Sequence, residues 1–177
     1  MSTIKTRTHE RMKDVLMSPD APGPEAHYYM ISGEGKRPNV TVWETGTVGG
    51  EYIKTYGHYH EGMLSDVYEV LDGEGIVLLQ KLGNMEGVVE EFRCMPCKKG
   101  DRILMPAFWG HVIVNTGKTC LVTLDSSTGS GSARYEEVKR MNGFAYYIKE
   151  QNGKPFLVRN PRYTEVQLVD YGGLSHE

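Results

Sequence analysis

The stretch Thr55-Tyr56-Gly57-His58-Tyr59-His60 carries the strongest chemical signal in the sequence. In an extended strand residues i and i+2 project to the same face, so His58 and His60 can offer imidazole nitrogens to a single ion. A third histidine, His111, follows Met105-Pro106-Ala107-Phe108-Trp109-Gly110 and opens another strand-like run. Three neutral imidazoles and a carboxylate, with one or two positions left open, make a site for one divalent metal ion, and Fe, Zn, Ni and Mn all suit that donor set. Spacing alone leaves a second reading open, in which His-x-His is a surface pair on a polar edge strand.

Other groupings say less. Cys94-Met95-Pro96-Cys97 has the spacing of a redox or half-zinc motif. No second pair follows and no strand-helix-strand pattern surrounds it, so a turn between two strands is expected there. The three cysteines are an odd number, and reduced thiols are the default in a chain large enough to need no disulfide staples. Gly33-Glu34-Gly35-Lys36 lacks the earlier glycine of a phosphate loop, since Met30 stands at that position. With no helix after it, it reads as a hairpin turn. The hydroxyls of Ser126, Ser127, Ser130 and Ser132 have no neighbouring histidine to act as base.

The elements that must position the histidines are strands. Glycine accounts for 21 of the 177 residues, well above the usual 7% or so, and it punctuates short runs rich in Val, Ile, Tyr and Thr. Candidate strands cover residues 27–32, 39–44, 52–56, 67–71, 76–81, 88–93, 102–105, 112–115, 120–124, 144–149 and 155–158. Turn signals separate them at Asp72-Gly73-Glu74-Gly75, Lys99-Gly100-Asp101, Asn115-Thr116-Gly117 and Asn152-Gly153. Short strands at this spacing point to an all-β barrel or double-sheet jelly roll. Residues 133–141, with Tyr135 and Val138 at i and i+3, read as the one helix. Residues 17–25 hold three prolines and suggest an extended N-terminal arm, and residues 125–132 are Gly- and Ser-rich and loop-like. The whole chain is expected to be a single domain, with its core at about 27–160 and an arm at 1–26.

Composition excludes several classes of function. Twenty Lys and Arg against 23 Asp and Glu give a net charge of -3. The charges are interspersed, so there is no basic stripe to neutralise nucleic-acid phosphates. The longest aliphatic run, Ile76-Val77-Leu78-Leu79, falls far short of the roughly 18 residues of a membrane span. Without an apolar leader at the N-terminus, a cytoplasmic protein is expected.

Gly57-His58-Tyr59-His60, a carboxylate a few residues later, Gly73, and then Pro106 and His111 resemble the two signature motifs of the cupin superfamily. More narrowly, residues 40–163 resemble the cupin-type glucose-6-phosphate isomerases of archaea and some bacteria. The match runs in order through Thr41-Val42, Thr45-Gly46-Thr47-Val48-Gly49, Thr55 to His60, Asp66 to Leu71, Gly73-Glu74-Gly75, Leu78-Leu79-Gln80 and Gly100-Asp101. It continues through Pro106, Trp109, Gly110-His111, Val114-Asn115, Tyr135 and Asn160-Pro161-Arg162-Tyr163. The resemblance implies a double-stranded β-helix, and a metal held by His58, His60, His111 and Asp66. It also implies a sugar-phosphate substrate bound by Thr41, Thr55, Gly57 and Tyr68, and Tyr28, Tyr29 and Tyr135 are placed to line the sugar end of the pocket. Thr41 and Thr55 also fit as ordinary β-branched strand residues.

The sequence departs from the family pattern at Asp66, where the family has a glutamate and one more residue after the second histidine. A tyrosine is replaced by Phe108 and a histidine by Ala133. Glu69 and Glu61 are alternative carboxylates, but period-2 alternation puts Asp66 on the face of Tyr68 and Glu69 on the other, which favours Asp66. The activity implied is interconversion of glucose 6-phosphate and fructose 6-phosphate, a step of glycolysis and gluconeogenesis. Asp66 would serve as ligand and proton carrier with His58 and His60, and a base-free hydride shift is the mechanistic rival. The other functional classes are a sugar-binding cupin without turnover and a cupin dioxygenase, for which the threonines have no use. A homodimer paired through edge strands is expected.

Overall fold

A computed structural model describes residues 3–32, 38–60, 65–125 and 133–176 of the chain. In chain order its strands are β1 (Thr3–Thr8), β2 (Ala26–Ser32), β3 (Asn39–Trp43), β4 (Thr47–Val48), β5 (Glu51–Tyr52), β6 (His58–His60), β7 (Asp66–Asp72), β8 (Glu74–Leu82) and β9 (Val88–Lys98). They continue as β10 (Arg102–Met105), β11 (Gly110–Asn115), β12 (Leu121–Asp125), β13 (Ala133–Arg134), β14 (Tyr146–Gln151), β15 (Lys154–Arg159), β16 (Glu165–Asp170) and β17 (Ser175–His176). A 3-10 helix, Glu10–Val15, follows β1, and one short helix, α1 (Glu136–Arg140), follows β13. None of the described helices is long and apolar enough to cross a membrane.

The strands form two facing six-stranded sheets, ordered β1-β2-β3-β12-β7-β10 and β13-β6-β11-β8-β9-β16, with a five-stranded sheet β17-β15-β14-β5-β4 beside them. This is the all-β, double-stranded β-helix expected from the sequence. The Asn152-Gly153 signal joins β14 to β15, and both residues take positive φ, 55° and 75°. Those are the dihedrals that let a two-residue hairpin follow the twist of its strands. Both main sheets bury their facing sides, with Trp43, Met105 and Leu121 from the first and Val77, Leu79 and Ile113 from the second essentially inaccessible.

Several expectations change. The described residues 3–26 are not an arm outside the core. β1 pairs with β2 from Thr3↔Ser32 to Thr8↔Ala26, and Met12, Val15 and Leu16 are buried in the core. A buried ion pair ties this segment down: Lys54 Nζ lies 2.7 Å from Glu51 Oε1 and donates to the Val15 carbonyl at 2.5 Å, while the Met17 N–H donates to Glu51 Oε2 at 2.7 Å. β1 is hard to see in the sequence because Thr-Ile-Lys-Thr-Arg-Thr has no apolar period.

Cys94 and Cys97 lie inside β9 rather than in a turn, opposite Leu78 and Gly75 of β8. Pro96 is tolerated there because the other neighbour, β16, stops pairing at Arg93, so no ladder bond is asked of the missing N–H. The expected strand at 52–56 pairs only at its start, with an isolated bridge from Lys54 to Val114. Beyond it the Thr55 side chain takes over a ladder role, its Oγ1 accepting from Ile113 N–H at 3.0 Å. The helix expected at 133–141 is shorter, because Ala133 and Arg134 pair with β6. The proposed turn at 33–36 and the Gly- and Ser-rich loop at 126–132 lie outside the described residues.

His27 is fully buried at the start of β2, with Nε2 3.0 Å from His9 Nδ1. Burial, then His9 and Lys54, lower its pKa to about 4. The unfolded chain takes this proton near 6.5 and the folded one only near 4, so stability is complete above pH 6.5 and declines as the pH falls to 4. The loss attributable to His27 is about 3 kcal/mol. Urea unfolding of His27→Gln at pH 7 and pH 4.5 should therefore show a smaller drop between the two pH values than wild type, and an equal drop would refute the assignment.

Candidate active site and metal centre

The site is built by one short strand and its two neighbours. In β6, Tyr59 points into the core while His58 and His60 point to the opposite face. Tyr59 is fixed by a hydrogen bond between its hydroxyl and the Gln80 amide, and Gln80 also donates to Tyr163 Oη at 3.0 Å and accepts from Ala145 N–H at 2.9 Å. Opposite Tyr59 in the ladder stands Gly110, where a Cβ would come within 2.6 Å of the Tyr59 ring and 2.9 Å of Phe144. Gly57 is needed at the entry to β6, since its φ is +83° and a Cβ there would meet Val112 at 2.4 Å. Packing against β11, rather than close approach of a ligand, accounts for that glycine.

His111 pairs with His58 in the β6–β11 ladder, so all three imidazoles share one face of the second sheet. Ring centroids lie 4.4 Å apart for His58 and His111, 4.8 Å for His58 and His60, and 5.1 Å for His60 and His111. One nitrogen from each ring falls within 4.8 Å of the others. Burial, and then His60, lower the His58 pKa to about 4, with Asp66 partly offsetting the effect. Burial, followed by His58 and His60, lowers His111 further still. Both rings are neutral at pH 7 and hold lone pairs ready for a cation. His111 Nδ1 is buried without a hydrogen-bond partner, and His60 Nε2 makes no hydrogen bond although Asp66 Oδ2 lies 3.1 Å away, a costly arrangement that a bound cation would relieve. The donor set therefore fits a divalent metal ion.

The first sheet faces the imidazoles with a polar inner surface. Directly paired residues share a face, so the registers place Tyr28 beside Trp43 and Leu121, and Met30 beside Thr41, Thr123 and Val70. The next row is Asn39, Asp125, Tyr68 and Ile103, and Asp66 lies beside Met105. Asp66 is buried, with Oδ2 3.1 Å from His60 Nε2. Its short side chain reaches one imidazole of the three. Glu69 pairs with Arg102 and Leu124 on the outer face, and Glu61 lies outside the described residues. Tyr68 packs its ring 5.5 Å from His111. Burial, then Asp125 and Asp66, keep its phenol protonated far above neutrality.

The remaining expected residues divide. Thr41 is buried on the inner face, and Tyr135 stands over the site with its ring 5.5 Å from His58. Tyr29 pairs with Thr6 and Val42 and so points to the outer face, leaving Tyr28 as the inward tyrosine. Phe108 is 56% exposed at positive φ in the turn before β11, and Ala133 pairs with His60. Sequence reading missed Thr123 and Asp125. The polar residues at every second place in Leu121-Val-Thr-Leu-Asp125 are the signal that would have found them.

Two facing, largely antiparallel sheets with three imidazoles converging between them define a cupin. Residues 8–165 match the family model described as glucose-6-phosphate isomerase (GPI). Glucose-6-phosphate isomerases of Pyrococcus abyssi and Pyrococcus horikoshii are 33% and 34% identical over 140 residues, each alignment covering 76% of this chain and 70% of the relative. The chain belongs to the glucose-6-phosphate isomerase (GPI) family. Among solved structures, one described as a predicted oxalate decarboxylase of Thermotoga maritima is 20% identical, with a TM-score of 0.45, over 70% of this chain and 89% of that one.

Titration of metal-free protein with Co²⁺ should give one tight site whose visible absorption reports nitrogen ligation. In His111→Ala the affinity should fall at least about 100-fold, and an unchanged isotherm would refute ligation by these rings.

Proposed function

We propose that this chain interconverts glucose 6-phosphate and fructose 6-phosphate in a metal-dependent aldose–ketose isomerisation. The observation that supports this most strongly is the opposition of His58, His60 and His111 on one sheet to Thr41, Asp66 and Tyr68 on the other. His58, His60 and His111, with Asp66 close by, would hold a divalent ion, and that ion would supply a Lewis acid for adjacent carbonyl and hydroxyl oxygens.

The protein's own groups do the rest. Asp66, an acceptor when ionised, is placed to carry a proton between C1 and C2 on one face of the sugar. Its Oδ2 lies 3.1 Å from His60 Nε2. Tyr68 stays protonated and donates to a substrate oxygen. Thr41 adds a hydroxyl from the same inner face. Thr55 keeps its own hydroxyl hydrogen, since its Oγ1 accepts the Ile113 N–H, and with the Gly57 amide it lies at the entrance to β6. Tyr28 and Tyr135 wall the sugar, and the Tyr135 ring, 5.5 Å from that of His58, excludes water from the reacting carbons. Pairing of two copies through exposed edge strands completes this reading as a homodimer.

Metal-loaded protein should convert fructose 6-phosphate to glucose 6-phosphate in an assay coupled to glucose-6-phosphate oxidation. Chelation should abolish the activity, and one of Fe²⁺, Zn²⁺, Ni²⁺ or Mn²⁺ should restore it. His58→Ala should lower kcat/KM at least about 1000-fold and Asp66→Asn about 100-fold. Full activity in His58→Ala, or none in metal-loaded wild type, would overturn the reading.

A further inference from the structure

We propose that Arg7, on the N-terminal strand β1, is a direct ligand of the substrate's phosphate and supplies cationic charge that the threonines and Tyr68 lack. The identity of the substrate rests on the isomerase reading, while the prediction of an anion-binding guanidinium rests on geometry alone. In the β1–β2 ladder Arg7 stands opposite Tyr28. It therefore shares the inward face on which Tyr28, Thr41, Tyr68 and Asp66 lie. Its Nε donates to Tyr28 Oη at 3.2 Å, and that oxygen also accepts the Tyr56 N–H at 3.3 Å. The guanidinium carbon sits 5.3 Å from the Tyr56 ring centroid and 5.9 Å from that of Tyr28. The two rings hold the planar group in one orientation.

This clamp uses one of the five N–H donors of the guanidinium. Among the described residues no carboxylate lies within ion-pair reach of Arg7, and no hydrogen bond uses its Nη groups. A half-buried, oriented arginine whose forked end is uncommitted is built to meet an anion, and a phosphate takes that fork in two parallel hydrogen bonds. The charge balance of the inner face argues the same way. The first sheet turns Asp66 inward, whereas its only inward cations among the described residues are Arg7 and the exposed Lys5. A dianion entering this space is repelled by that acid unless a cation lies on its path.

The position also suits the shape of a hexose phosphate, whose charge is on C6 and whose chemistry is at C1 and C2. A row of rings leads from Arg7 to the imidazoles: Tyr56 and Tyr135 are edge to face at 5.6 Å, and Tyr135 lies 5.5 Å from His58. The cation and the reacting end are thus separated by the aromatic wall along which the carbon chain would lie.

Calorimetry with glucitol 6-phosphate, which has no carbonyl and cannot turn over, tests this on the metal-loaded protein. Arg7→Gln should bind it roughly 30-fold more weakly than wild type, the ordinary size of a lost charge-assisted contact. Arg7→Lys should fall between, and unphosphorylated glucitol should not distinguish the three. The KM for fructose 6-phosphate should rise by a similar factor, with kcat within about threefold. A folded Arg7→Gln that binds glucitol 6-phosphate within twofold of wild type would overturn the proposal, as would wild type that does not bind it. If Arg7→Gln does not fold, Arg7→Lys decides, with a fivefold or greater loss supporting the role and no loss refuting it. Arg7-dependent binding in a wild-type protein inactive on fructose 6-phosphate would instead sink the isomerase reading and leave the anion site standing.

Discussion

The orientation of Tyr59 is the constraint on which the site depends. A strand of three residues has no length with which to resist slipping, and a slip of one residue would turn both flanking histidines into the core. Tyr59 prevents this because its ring fits only over a glycine, Gly110, and against Phe144, and because its hydroxyl meets a fully buried glutamine. Gln80 in turn is held by Tyr163 and by the backbone of Ala145, and Tyr163 donates to the Gly143 carbonyl at 3.0 Å. Polar groups deep in the core, well behind the imidazoles, thus set the direction in which they point.

The same burial that orients the rings sets their electrical state. An imidazole removed from water and placed beside two others gives up its proton readily, as the low pKa values of His58 and His111 show. Across the gap, burial acts in the opposite sense on Tyr68 and keeps its proton on. One dry space therefore holds neutral nitrogen acceptors on one wall and a neutral oxygen donor on the other. The neutral imidazoles can receive a cation and the protonated phenol can donate to a sugar oxygen, while Asp66 is the acid that lies against them.

Much of this was legible in the sequence, and what was not has physical causes. The His-x-His pair was readable because strand alternation is a strict geometric rule, and Asp66 over Glu69 followed from the same rule. Asn152-Gly153 announced its hairpin because few residues accept positive φ twice in succession. β1 escaped notice because both of its faces are polar, one toward solvent and the other toward the site, so no apolar period marks it. Tyr28 and Tyr29 could not be told apart without the register of β2 against β3. Cys94 to Cys97 misled because a proline inside a strand is permitted only where a neighbour ends, and that neighbour, β16, is more than 60 residues further along the chain.

The strand order of the first sheet has a consequence for how the molecule is made. β3 finds its second partner only in β12, roughly 80 residues later in the chain. At a synthesis rate of about 5 to 20 residues per second, that edge waits roughly 4 to 16 s on the ribosome with its backbone donors and acceptors unmatched. During this interval the inner side of β1 to β3 carries Lys5, Arg7 and Thr41 among Tyr28, Met30 and Trp43. The polar residues that serve the finished pocket thus also break up what would otherwise be an apolar strip beside an open strand edge.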